Sequence, residues 1–347
     1  MATSLYQAKP FQTFEQQAEK LLNRGLVADK DALISLLNSV NYYRFKGFLQ
    51  PFRETLRGKD GRKIRGENYI EGTTLDKVWQ YYLFDRRLRF LVLDSIERVE
   101  IALRTQIAYH WAQFAGCPNP QGDKIHYNQL WTADKVAALL KAVQNAFDRS
   151  HADFVKLQKS QGCADVKCLP VWMFVELTTM GELTRIYKGL DYSLQEAIAA
   201  KFGFIDGQGR IDTDFFYSLM SLFQLARNAC AHHARIWNVE WNQHYPQKTK
   251  QGIMFPPVVV NTCLPMWNQW WIESQNAWMH KAGKHSFQRQ STAFLLTACA
   301  YFTNKVAPKS SWKQRFVELI SRPETPSDVL KVMKFSEHWR SHPFWNV

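Results

Sequence analysis

Arg227, Asn228 and His232 lie within one short stretch, DFFYSLMSLFQLARNACAHHARIWN, residues 214–238. A guanidinium keeps its charge at every physiological pH and matches phosphate oxygens in a fork. An imidazole takes or gives a proton near neutrality. With a carboxamide between them, these are the groups needed to grip a phosphate and move a proton.

The apolar residues around them recur at three- and four-residue spacing from Phe215 through Ala234, without Pro or Gly, and predict a core helix. On a helical wheel Phe216, Leu219, Met220, Phe223, Ala226 and Cys230 share one stripe. Tyr217, Ser221, Gln224, Asn228, His232 and Arg235 form a polar stripe about 80° wide. Arg227 falls on the apolar side beside Phe223 and Cys230, where a permanent charge needs a carboxylate, a phosphate or an open cleft. Two blander assignments stand beside this one: a structural ion pair for Arg227, and an ordinary capped helix end for His232–His233. Arg227 and His232 are also about 140° apart on an ideal helix. Both reach one phosphate only if the helix ends near His232 or a second copy contributes.

The string RNACAHHARIWN resembles the signature of the Abi-like abortive-infection proteins (AbiD/AbiF type), a branch of the HEPN superfamily of helical ribonucleases. Similar blocks occur at VNYYRFKGFLQPF (40–52), FDRRLR…IERVEIALR in the long helix, the Trp…Glu element around Glu176, and the aromatic ending KFSEHWRSHPFW. The resemblance implies a metal-independent endoribonuclease without cofactor, active in phage defence or a toxin–antitoxin system. His232 would act as general base on a ribose 2′-OH or as general acid on the leaving 5′-oxygen. Arg227 would stabilise the charge on the phosphoryl oxygens, Asn228 would position phosphate or imidazole, and Glu176 would hold the guanidinium. The products would be a 2′,3′-cyclic phosphate and a 5′-hydroxyl. It further implies a homodimer with facing motifs, and RNA as partner, both as substrate and as an antitoxin or guide-like small RNA. The alternative is a non-catalytic module that holds a structured RNA.

Bulk composition agrees with such a partner. A net charge of +13 and a pI near 9.4 favour a polyanion, nucleic acid over membrane surface. The first residues lack an apolar signal core, and the most apolar runs are interrupted by Asp94, Glu97 or Glu176, so no membrane span is expected. Six scattered cysteines without zinc spacing suit reduced thiols in a cytoplasmic protein.

The elements that must position these groups are helical. Short helices are expected at 13–23 and 30–38, capped by Thr13 or Asp31, with Gly25 closing the first. The aromatic block 40–52 reads as a packed turn, or as a stacking platform through Tyr42 or Tyr43 near Arg44. Residues 53–73 carry Arg53, Arg57, Arg62, Lys63 and Arg65 among glycines and read as a mobile loop or short hairpin, either an RNA-binding arm or a solvated loop. With Arg44, His233 and Arg235 these are the candidate RNA contacts. A long helix is expected from Thr74 to Ala115, with Val92, Ile96, Val99, Leu103 and Ile107 on one face and Glu97, Glu100 and Arg104 on an adjacent stripe. Glu100 and Arg104 have the favourable four-residue spacing, and Glu97 or Glu100 is an alternative carboxylate for Arg227.

A helix at 133–160 follows. Glu176, inside the apolar run Val171–Leu177, is expected to be buried or to face a cleft. It then partners Arg227, orients the site, or pairs with another cation. Further helices are expected at 193–203, 266–282, 288–306 and 311–321. His338 and His342 would hold a metal only if their stretch were helical, which Ser341 and Pro343 oppose. The expected fold is all-α: a HEPN-like core at 74–240, an N-terminal helical region with the basic loop at 1–73, and a helical lobe at 241–347.

Overall fold

The computed structural model describes residues 10–57, 62–123, 126–204, 211, 213–241, 291–335, 339–341 and 345. The fold is all-α, with one two-stranded hairpin as its only sheet among the described residues. It divides into two compact units. One draws on residues 1–88 and 318–329, the other on 89–317 and 330–347.

The first unit begins with helix α1, Phe14–Leu22. Thr13 and Gln16 cap it reciprocally: the Thr13 hydroxyl accepts from Gln16 N–H, and the Gln16 carboxamide accepts from Thr13 N–H. Gly25 turns the chain at φ +92°. Helix α2, Lys30–Ser39, is capped by Asp29 rather than Asp31, since the Asp29 carboxylate accepts from Ala32 N–H at 2.8 Å. The aromatic block is a helix, α3, Tyr42–Leu49, and not merely a packed turn. Asn41 caps it through Tyr43 N–H, and Tyr42, Phe45, Phe48 and Leu49 are its buried residues. The basic stretch is a hairpin: β1, Arg53–Arg57, pairs antiparallel with β2, Lys63–Tyr69, from Arg57↔Lys63 to Arg53↔Tyr69. Backbone bonds Tyr69 N–H to Arg24 and Ile70 N–H to Phe52 tie the hairpin down.

Helix α4, Leu75–Ala115, gives residues 75–88 to this unit and 89–115 to the second. In the second unit Val92, Ile96, Val99, Leu103 and Ile107 are fully buried, as their spacing predicts. The expected 133–160 helix is two, α5 (Ala133–Arg149) and α6 (Asp153–Ser160). The break is local chemistry: Ser150 turns extended and its hydroxyl accepts from Ala152 N–H. Then come α7 (Val171–Phe174), a 3₁₀ turn (Val175–Leu177), α8 (Met180–Gly189), α9 (Tyr192–Lys201), α10 (Thr213–Ala231), α11 (Thr292–Val306), α12 (Trp312–Ser321) and α13 (Val329–Met333). Phe202, Phe204, Phe216 and Phe223 gather round Phe302 of α11 at centroid distances of 5.2–6.1 Å. Each such buried ring contributes about 1.5–3 kcal/mol. Near the C-terminus Phe316, Phe335, Trp339 and Trp345 form a second aromatic cluster. The expected helix at 266–282, with His338 and His342, lies outside the described residues. Among the described residues no helix is long and apolar enough to cross a membrane, and no group of three or more His, Cys, Asp or Glu is arranged to hold a metal.

Candidate active site at the end of the central helix

Helix α8 runs antiparallel to α10 and fixes its register. At one end Lys188 pairs with Asp214 at 2.6 Å and lies over the Tyr217 ring at 5.3 Å. At the other, Gly181 lets α8 approach Gln224 so closely that an added Cβ would sit 2.7 Å from the carboxamide nitrogen. With α9 and α11 also packed on α10, the middle of the helix is enclosed: Phe216, Met220, Leu222, Phe223 and Ala226 are buried, and so is Ser221 of the polar stripe.

Beyond Ala226 the helix emerges. Arg227, Asn228, Ala231 and His232 are all exposed, while Cys230 remains buried. The expectation that Arg227 belongs to the apolar side is thus corrected, because the neighbouring elements leave its sector uncovered at this last turn. On the wheel Arg227, Ala231, Asn228 and His232 follow one another over one arc of about 140°. Among the described residues the side chains of Arg227, Asn228 and His232 make no hydrogen bond or ion pair. The structural ion pair considered for Arg227 is not seen.

The helix ends at the imidazole. His232 N–H bonds to the Asn228 carbonyl at 2.9 Å, His233 N–H to Cys230 at 3.0 Å, and Ala234 N–H to Ala229 at 2.8 Å. This is a Schellman closure with His233, at φ 57°, in the left-handed position that glycine usually takes. Past it the chain is anchored. Arg89 donates to the Ala234 carbonyl at 3.4 Å, the Thr292 hydroxyl donates to the Ile236 carbonyl at 2.7 Å, and Ile236 and Trp237 are buried. Within the RNACAHHARIWN string, exposed polar positions therefore alternate with buried anchors. His233 is exposed and Arg235 half-buried.

Glu176 lies in the 3₁₀ turn between α7 and α8 and is exposed, not buried. It makes no ion pair with Arg227 among the described residues. Neither Glu97 nor Glu100 pairs with Arg227 among them either; Glu100 holds Arg104 at 2.6 Å, as the four-residue spacing predicts. What the spacing did not reveal is where that guanidinium goes next. Arg104 also donates to the carbonyls of Val175 (3.1 Å) and Thr178 (2.7 Å), clamping the turn that leads into α8.

The other candidate RNA contacts belong to the first unit. Arg57, Arg62 and Arg65 are exposed on or beside the hairpin, and Arg65 donates to the Gln50 carbonyl at 2.7 Å. Arg44 and Arg53 are half-buried. The side chain of Lys63 lies outside the described residues.

No curated protein and no solved structure matches the chain. The model of the Abi-like protein family matches residues 35–238, from α2 through the RNACAHHARIWN string. That match covers more than half of the sequence and takes in the whole of the exposed arc, so the chain belongs to the Abi-like protein family.

Proposed function

We propose that this Abi-like chain is a metal-independent endoribonuclease of the HEPN type, serving phage defence by abortive infection or as the toxin of a toxin–antitoxin pair. The observation behind this reading is the exposed arc at the end of α10, where the side chains of Arg227 and His232 are uncommitted to other groups among the described residues. His232 takes the proton from a ribose 2′-OH, whose oxygen attacks the adjacent phosphorus. Arg227 neutralises the charge that builds on the non-bridging oxygens, with Asn228 donating beside it. The bond to the 5′-oxygen breaks, leaving a 2′,3′-cyclic phosphate and a 5′-hydroxyl. DNA lacks the attacking group and is not cut. Two copies face each other as a homodimer, so that a second imidazole protonates the leaving oxygen. RNA is substrate and, as antitoxin or guide-like strand, regulator.

The test is incubation of the purified protein with single-stranded RNA in excess chelator. Arg227→Ala and His232→Ala are each expected to abolish cleavage, with RNA binding kept in His232→Ala. Tight binding without cleavage under any condition would replace the nuclease with an RNA-holding module. In light scattering the protein is expected at twice its 40.6 kDa chain mass.

A further inference from the structure

In the first unit a cavity of about 510 Å³ opens beside α1, α3 and the hairpin, within the ~300–1,000 Å³ usual for small-ligand sites. Lys20, Arg24, Lys46 and Arg53 line it, against one carboxylate, Glu67, which pairs with Arg24 at 2.5 Å. The excess of cations calls for an anion.

Three residues that line it each carry a buried polar atom with no hydrogen-bond partner among the described residues: the Tyr42 hydroxyl, the Arg53 Nε–H and the Gln17 carboxamide oxygen. Tyr42 as a whole is 9% exposed. Buried donors and acceptors are nearly always satisfied, so an unpaired set on three residues that line one cavity points to a ligand that completes it. At the same cavity Tyr43 is 67% exposed, and its ring meets Tyr42 edge-on at 5.6 Å. It offers a flat face that a base can cover.

We propose that this cavity binds an unpaired nucleotide. Its phosphate is held by Lys20, Arg53 and the Tyr42 hydroxyl, its base is stacked on Tyr43, and an exocyclic amine donates to Gln17. A free nucleotide and a residue of a single strand offer the same chemistry. The site belongs to a different unit from Arg227, and the proposal does not require that the chain cut RNA.

Two probes separate the sources, both on the full-length protein: adenosine 5′-monophosphate by calorimetry, and a short labelled 2′-O-methyl oligoribonucleotide by anisotropy. The methylated strand has no attacking hydroxyl and is not cut, and binding at Arg227 is told apart because the cavity variants would leave it unchanged. Tyr43→Ala and Arg53→Gln are expected to weaken whichever probe binds by about tenfold. Tyr42→Phe removes one oxygen from a buried, unpaired position. It should weaken binding about threefold while the melting temperature stays level or rises; a merely structural hydroxyl would instead lower the melting temperature and leave binding alone. Binding of the strand only, or of the mononucleotide only, identifies the source. If the wild type binds neither probe, or if all three variants bind as the wild type does, the proposal is overturned. Should Tyr43→Ala or Arg53→Gln fail to fold, Tyr42→Phe decides.

Discussion

His233 donates its backbone N–H to the carbonyl of Cys230 at 3.0 Å while its own φ stands at 57°. Cys230 is sealed in the core and His233 is exposed, so this bond marks the point where α10 leaves the protein interior. It halts the helix at Ala231 and leaves His232 at the free end.

The left-handed position tolerates His but not a β-branched side chain. His233→Val is expected to destabilise the protein by about 1–2 kcal/mol and to depress RNA cleavage by displacing His232. His233→Gly should retain both stability and cleavage. Thermal unfolding and a chelator-containing RNA assay read the two effects.

Arg227 and His232 are exposed and engage no other side chain among the described residues. Removing either should change stability by less than about 0.5 kcal/mol, while cleavage falls by about 10²–10³-fold or more. A large drop in melting temperature in either alanine variant would show a structural role instead.

Arg104 and Glu100 are 16% and 13% exposed, and the guanidinium satisfies two carbonyls of the turn before α8. Arg104→Met leaves the carboxylate and both carbonyls without that partner. The expected loss is about 2 kcal/mol by denaturant unfolding, below the ~3–5 kcal/mol of a fully buried pair. Arg104→Lys should recover only part of it, since an ammonium cannot span the same fork.

Two glycines of α8 make contrasting predictions. An alanine Cβ at Gly189 would lie 2.1–2.4 Å from the Trp131 ring, which is itself stacked on Tyr127 at 5.2 Å. Gly189→Ala should therefore cost about 3 kcal/mol or prevent folding. At Gly181 the close neighbour is the flexible end of Gln224, which can move aside. Gly181→Ala should cost less than about 1 kcal/mol, and a helix-favouring Cβ offsets part of that. Melting curves of the two variants make the comparison.

Much of this architecture was legible in the chain itself, because its determinants are local. The 3.6-residue period placed Val92 through Ile107 on one buried face of α4, and the Thr13 cap and the Glu100–Arg104 pair depend on neighbours three or four residues away. The RNACAHHARIWN string marked the family. Other features depended on which elements meet and where they stop. The wheel set Arg227 beside Phe223 and Cys230, yet the packing around α10 leaves its last turn open and Arg227 exposed. Glu176 sat in an apolar run, but a 3₁₀ turn carries it outward, while Arg104 reached carbonyls 71 and 74 residues away. The cavity wall of Gln17, Tyr42 and Arg53 brings together an α1 side chain, an α3 side chain and a hairpin side chain. Periodicity specifies a helix's faces; only the packed neighbours decide which of them water can reach.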